Sequence, residues 1–388
     1  VPVPNRVADL VPEITGWRRD LHSHPELLYD LPHTSAFVAA KLREFGCDAV
    51  ITGLAGTGVV GVLHGRRGPG GPAVALRADM DALPITEATG RPWSSTRPGL
   101  MHACGHDGHT AMLLGAAKHL AETRGFDGTV VLVFQPAEEG GGGALRMIED
   151  GLFDKVRIDR IFAIHNLPGL EVGRMALVDG PVMAAADKFR IAVKGRGGHA
   201  AMPHQAVDPV AIGSAIVLGA QTLVSRRTDP LAAAVVSITR FSAGETDNVI
   251  AEEAMLAGTI RTLDETVRGE IAERFDRLVR LTAEAHGGTA TLEIRRGYPV
   301  TVNDPAEVAF AADVARAVLG ADNVGPGTPM MGAEDFAYYL RHRPGAYLFL
   351  GNGPSAGLHH PAYDFDDGAL PGGVAFWSAL AQAATAAG

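Results

Sequence analysis

The sequence predicts an α/β fold, with a mostly parallel central sheet, interrupted by a smaller inserted α+β domain; three observations carry this. First, continuous apolar runs such as Gly128-Thr-Val-Val-Leu-Val-Phe134 and Arg160-Ile-Phe-Ala-Ile-His165 have the composition of strands covered on both faces, and helical-period segments separate them. Second, 388 residues exceed one ordinary core. Third, the pattern changes after Gly180-Pro181 to four strands and two helices, then returns to α/β signals. The expected boundaries are 1–185 and 298–388 for the main domain and 186–297 for the insertion.

Taken in order, Val7 to Leu21 carries apolar residues at helical spacing and ends near His22-Ser-His-Pro25, where His22 and His24 read as cap or surface residues. A second helix, Thr34 to Phe45, precedes strands at Cys47 to Ile51, Gly58 to Leu63 and Ala73 to Leu76. The Arg66-Arg-Gly-Pro-Gly-Gly71 segment supplies turn chemistry for a hairpin joining the last two. Asp79 and Asp81 follow the third strand, at the kind of strand end where α/β sheets collect ligands. A buried helix is expected over His109 to Ala121, and another helix over Ala144 to Glu149.

Within the insertion the order is strand Lys188 to Lys194, helix Asp208 to Leu223, strands Ala233 to Phe241 and Glu253 to Thr262, helix Glu265 to Ala285 and strand Thr289 to Ile294. Helices at Pro305 to Leu319 and Glu334 to Leu340, strand Ala346 to Leu350 and a terminal helix near Gly373 to Ala386 complete the chain.

Composition bounds the function. Apolar residues make up 46% and charged residues 20%, and 34 Lys and Arg against 44 Asp and Glu give a net charge of −10, which supplies no basic footprint for nucleic acid or an anionic membrane. Apolar runs stop short of a bilayer span, and Val1-Pro-Val-Pro4 lacks a charged segment followed by an apolar one. Cys47 and Cys104 allow at most one disulfide, so the expected setting is a reducing cytoplasm.

The densest chemistry lies in Met101-His-Ala-Cys-Gly-His-Asp-Gly-His109, which reads as the floor of a metal site. Cys104 and His106 stand in the loop entering a helix N-terminus, where backbone N–H groups favour a thiolate. The adjacent carboxylates of Gln135-Pro-Ala-Glu-Glu139 end a buried strand and call for a cation or a shared proton. His165 ends the next strand, and Gly357-Leu-His-His-Pro361 follows another. Each alone reads more simply as a core histidine or a solvated turn, but three strand ends carrying ligand types on one rim are not independent accidents. Cys104, His106, Glu139, His165 and one of His359 and His360 make five ligands, too many for one tetrahedral zinc and suited to two ions sharing a bridging ligand and a water. Glu138 is left over as a general base, and His102, His109 and His119 as scaffold.

These motifs, with Leu21-His-Ser-His-Pro-Glu26, Ala78-Asp-Met-Asp-Ala-Leu-Pro84, Gly197-Gly-His-Ala-Ala-Met-Pro-His204, Gly258-Thr-Ile-Arg261 and Met331-Gly-Ala-Glu-Asp-Phe336, resemble the aminoacylase and glutamate carboxypeptidase family of dinuclear metallopeptidases. The likeness spans nearly the whole chain and points to the branch of hippurate hydrolases, auxin–amino acid conjugate hydrolases and N-acyl-amino acid amidohydrolases. It implies a zinc-peptidase-like catalytic domain and a lid or dimerisation insertion.

The resemblance further implies that Cys104 bridges two divalent ions, with His106 and His165 on one and Glu139 and His359 on the other. Zinc or manganese is expected, with cobalt or nickel also accepted by such ligands. Glu138 matches the general base, His199 a lid histidine reaching the scissile carbonyl, Asn248 and Arg261 substrate-binding positions, and Asp81 an aspartate that orients a histidine ligand. Asn248-Val-Ile-Ala251 departs from the usual Asn-Val-Ile-Pro, and Tyr29-Asp30 stands where the family has a glutamate. The implied reaction is hydrolysis of N-acyl amino acids, the implied assembly a homodimer through the insertion or a tetramer. Dipeptidase, carboxypeptidase or N-acetyl-diaminopimelate-type deacetylase action, and a non-catalytic metal-dependent binding role, stay open as alternatives.

Overall fold

A computed structural model describes residues 5–386; Val1 to Pro4 lie outside the described residues. The chain divides into two compact units, one of Val1–Gly180, Val302–Thr328 and Asp335–Gly388, the other of Pro181–Thr301 and Pro329–Glu334.

The first unit is built on an eight-stranded sheet. Its strands are β1 (Ala49–Leu54), β2 (Gly58–His64), β3 (Ala73–Asp79), β4 (Thr129–Gln135), β5 (Arg160–Leu167), β6 (Met175–Leu177) and two later strands, Val324–Pro326 and Gly345–Gly351. The order is β1-β2-β4-β3-β5, then Gly345–Gly351, β6 and Val324–Pro326. The central four, β4, β3, β5 and Gly345–Gly351, run parallel, while β2 joins β4 antiparallel. Every residue of β3 and β4 is buried, as their unbroken apolar runs require of strands covered on both faces.

Helix α1 (Asn5–Ser23) buries Val7, Leu10, Ile14, Trp17 and Leu21, the stripe given by its period, and α2 (Pro32–Glu44) buries Val38 and Leu42. Each such fully buried Val or Leu contributes roughly 1.5–3 kcal/mol over its exposed state. Helix α3 (His106–Thr123) packs against α1 and the terminal helix Leu370–Thr385. Gly115 permits that approach, since a Cβ there would lie 2.6 Å from Ile14 and 2.8 Å from Val374.

Three local expectations are corrected. The hairpin between the second and third strands does not form: β4 lies between β2 and β3, and Gly65 instead donates its N–H to the Gly128 carbonyl. Local turn chemistry yielded to long-range pairing of the apolar β4. Asp79 is the last residue of β3 rather than a residue beyond it. The helix expected over Glu334 to Leu340 is only Ala337–Leu340, because Asp335 is held by other partners described below.

The second unit contains a four-stranded antiparallel sheet in the order Ala234–Ala243, Glu253–Thr262, Ala185–Lys194, Thr289–Arg296. Helices Pro209–Ser225 and Glu265–Ala285 cover it, with N-cap aspartates Asp208 and Asp264 accepting the first free N–H groups. Phe189, Ile191, Ile216, Leu256, Phe275 and Val279 form its separate core. Among the described residues no helix is long and apolar enough to cross a membrane.

Candidate metal centre

The parallel strands deliver their C-terminal ends to one edge of the sheet. Asp79 pairs in register with Gln135, so the β3 and β4 exits lie side by side. Beyond Gln135, Ala137 takes a left-handed φ of 58° and turns the chain sharply just before Glu138 and Glu139. A new helix, α4 (Gly143–Glu149), starts after the glycine run, and the Gly143 N–H closes the turn onto the Ala137 carbonyl at 3.1 Å. His359 also has a left-handed φ, 64°, and its N–H is held by the Ala103 carbonyl at 2.8 Å. Two non-glycine residues in this sparsely used conformation at one site show that side-chain placement there overrides local backbone preference.

Five side chains converge. Cys104 Sγ lies 3.4 Å from His165 Nε2, and Glu139 Oε1 lies 3.2 Å from His359 Nε2 and 4.0 Å from His106 Nε2. Potential ligand atoms of Cys104, His106 and Glu139 all fall within 4.8 Å of one another. The imidazoles are aimed by their far nitrogens. His106 donates Nδ1–H to the Asp81 carbonyl at 2.8 Å and His165 donates Nδ1–H to the Asn166 carbonyl at 2.8 Å, which makes each Nε2 the nitrogen left for an ion, in His106 by displacing its proton. His106 Nε2 is buried and makes no hydrogen bond, so a cation fits where the protein supplies no partner.

The charges agree with that fit. Burial alone would lower the His106 pKa, but Asp79, Asp81 and Glu139 outweigh it and raise it to about 10. Burial, then Glu139, Glu138 and Asp79, push the Cys104 thiol well up, so the helix N-terminus does not by itself secure a thiolate. Burial and the neighbouring His109 hold His165 well below the ordinary imidazole value, in the neutral form that ligates. A thiol kept protonated among carboxylates is the arrangement that a divalent ion reverses.

His109 stands in a second cluster with Asp79, His106 and His165, yet it has nothing left for an ion. Its Nδ1–H donates to Asp79 Oδ1 at 2.6 Å and its Nε2 accepts the Asn166 N–H at 3.0 Å. Asn166 in turn donates to the Cys104 carbonyl at 2.6 Å and accepts from the Tyr363 hydroxyl at 2.7 Å. The Asp81 carbonyl takes the short bond from His106 Nδ1 while Asp81 Oδ1 faces the same nitrogen at 3.5 Å, and the carboxylate also accepts the N–H of Glu138 and of Glu139, each at 3.0 Å.

Sequence reasoning missed two supporting groups. Arg77, wholly buried in β3, donates to Asp79 at 2.6 Å, Gln135 at 2.9 Å and Asp335 at 3.1 Å. The signal was an arginine inside the apolar run Ala73 to Ala78, which requires buried acceptors. His22 is buried as well, not a surface cap: Nδ1 meets Asp107 at 2.8 Å and Nε2 meets Glu87 at 3.3 Å. Burial opposes its charge, but Asp107 and Glu87 raise its pKa to about 9.

His199, Asn248 and Arg261 belong to the second unit. His199 pairs with Val249 across two short strands, and the Ala200 N–H donates to the Asn248 carbonyl at 3.0 Å, so His199 and Asn248 are neighbours there. Arg261 is half-buried on Glu253–Thr262 opposite Val235.

Known proteins are similar to this chain over nearly its whole length. The N-acetyl-L-cysteine deacetylase of Bacillus subtilis is 41% identical over 95% of this chain and 87% of its own length. The hippurate hydrolase of Campylobacter jejuni is 40% identical over 97% of each chain. The crystal structure of the Bacillus subtilis YxeP protein, described as a dinuclear metal binding peptidase, superposes with a TM-score of 0.85 at 35% identity, covering 96% of this chain and 98% of that one. The profile of peptidase family M20/M25/M40 matches residues 75–383, and the chain belongs to that family as one of its hydrolases.

Proposed function

We propose that the protein is an N-acyl-amino acid amidohydrolase, cleaving the amide between an acyl group and an amino acid nitrogen. The observation that carries this reading is the convergence of Cys104, His106, Glu139, His165 and His359 beside Glu138, a carboxylate that the ligand set does not need. Relatives that act on N-acetylcysteine and hippurate support the substrate class.

Cys104 would bridge two divalent ions, zinc or manganese, with His106 and His165 at one and Glu139 and His359 at the other. When bound, the ions supply Lewis acidity, which makes a water acidic and polarises the acyl carbonyl. Glu138 would take a proton from the attacking water as its oxygen bonds the acyl carbon, and return that proton to the amine nitrogen as the C–N bond breaks. His199 hydrogen-bonds the developing oxyanion, and Asn248 and Arg261 hold the substrate carboxylate. The reading includes a cytoplasmic setting, which two free cysteines support, and a homodimer through the second unit, where Phe241 and Val235 are exposed on the edge strand Ala234–Ala243.

The test is amino acid release from N-acetyl, N-benzoyl and long-chain N-acyl amino acids, with metal-stripped protein before and after adding zinc or manganese. Metal-dependent release is expected, and Glu138→Gln should lose about 10²–10⁴-fold in turnover while keeping its metal. Release unaffected by Glu138→Gln, or none from any substrate, overturns the reading.

A further inference from the structure

We propose that Asp20, His24 and His33 form an additional divalent transition-metal site that clips the end of α1 to the start of α2. Asp20 is in the last turn of α1, His24 follows its last residue, and His33 is in the first turn of α2. One potential ligand atom from each of the three lies within 4.8 Å of the others.

Three features favour an ion over simple ion pairs. His33 Nε2 is buried, makes no hydrogen bond and faces Asp20 Oδ2 at 3.5 Å. Two ligands about 2.1 Å from a tetrahedral zinc stand about 3.4 Å apart, so this separation already has the right size. His24 Nδ1, 2.8 Å from the Asp20 carbonyl, also lies 3.5 Å from Asp20 Oδ1, so the ring is fixed beside the carboxylate. The two imidazoles stack with centroids 4.6 Å apart against one carboxylate. One divalent ion among two imidazoles and a carboxylate gives all three groups a partner.

The Asp20, His24 and His33 side chains are 44%, 38% and 35% exposed, so water completes the coordination and an ion can enter from solvent. Two imidazoles and a carboxylate suit zinc, nickel or copper. The site shares no residue with the Cys104 centre, and its role is structural: the loop it closes carries Glu26, whose carbonyl holds the Ala82 N–H at 2.7 Å next to Asp81.

The test counts bound zinc per chain by elemental analysis, after dialysis of the full-length protein against micromolar zinc, in wild type, His33→Ala and Asp20→Asn. Wild type should hold one zinc more than either variant, and zinc should raise its melting temperature further than that of the variants. Cobalt in place of zinc should give wild type extra visible d–d absorption, without added thiolate charge-transfer intensity. Comparing folded variants by circular dichroism keeps the difference meaningful, and Asp20→Asn stands in should His33→Ala fail to fold. Equal zinc content in all three proteins overturns the proposal, whatever the state of the Cys104 centre.

Discussion

Asp81 Oδ1 accepts the main-chain N–H of Glu138 at 3.0 Å from a fully buried position, and Oδ2 does the same for Glu139. One carboxylate thus sets the backbone of both the proposed base and a proposed ligand. Asp81→Ala strips two buried N–H groups of their acceptor, each worth about 1–3 kcal/mol. Urea unfolding should register a loss in that range or above, and turnover should fall roughly 10–100-fold. Asp81→Asn, which keeps one acceptor oxygen, should fall between. An alanine variant with unchanged stability and turnover would show that the turn holds itself.

Gly105 joins Cys104 to His106 with φ of 87°, and a Cβ there would lie 2.3 Å from Asn166 Nδ2 and 2.5 Å from the Tyr363 hydroxyl. Gly105→Ala combines left-handed strain with a clash against the hydrogen-bond chain that holds the Cys104 carbonyl. A cost of about 2–5 kcal/mol follows. Calorimetry should show the lowered midpoint, with metal content falling as the Cys104 and His106 side chains shift. Full metal content at the wild-type melting temperature would contradict the close packing.

The parts legible in sequence were those that period and composition carry. Apolar β4 and β5, the helix stripe from Val7 to Leu21 and the alternation in Ala185–Lys194 each encode their own burial. The neighbours of a strand are not so encoded: nothing local to Gly58–His64 says that β4 rather than β3 will pair with it. The ligand types at the strand ends were visible for the same reason as the strands. Their supports were not, because Arg77 finds Asp335 258 positions away and His22 finds Asp107 85 positions away. A lone histidine near a helix end looks identical whether it caps the helix or lies buried between carboxylates.

The His22 cluster makes stability depend on pH in a defined window. His22 is raised from 6.5 to about 9, so its contribution is fully present below pH 6.5 and is lost as pH rises through 9. Glu87 is lowered from 4.5 to about 2: burial opposes this, but His22 and the Ser95 N–H prevail, so its share holds above pH 4.5 and fades toward 2. The unfolding free energy from urea titrations should therefore decline between pH 6.5 and 9, by on the order of 1–3 kcal/mol from His22. His22→Gln should be less stable at pH 6 and show a flatter alkaline limb. An alkaline slope identical in the variant would assign the decline to other groups.

Removing the metals should destabilise the protein more than losing any one ligand hydrogen bond. Glu138, Glu139 and Asp79 crowd one buried volume around the Cys104 thiol, and without added cations Arg77 and His109 meet Asp79 while His106, its pKa raised to about 10 against the burial penalty, faces the rest. An ion bound only by the folded state adds stability that grows with its occupancy, about 4 kcal/mol at a thousandfold excess over Kd. Chelator should lower the wild-type melting temperature by several degrees, and zinc or manganese should restore it. Cys104→Ala removes one ligand but also relieves the crowding, so its chelator-induced shift should be smaller than that of wild type. Equal shifts in both proteins would place the stabilising ion away from Cys104, and no shift in wild type would mean that the cluster is settled by protons alone.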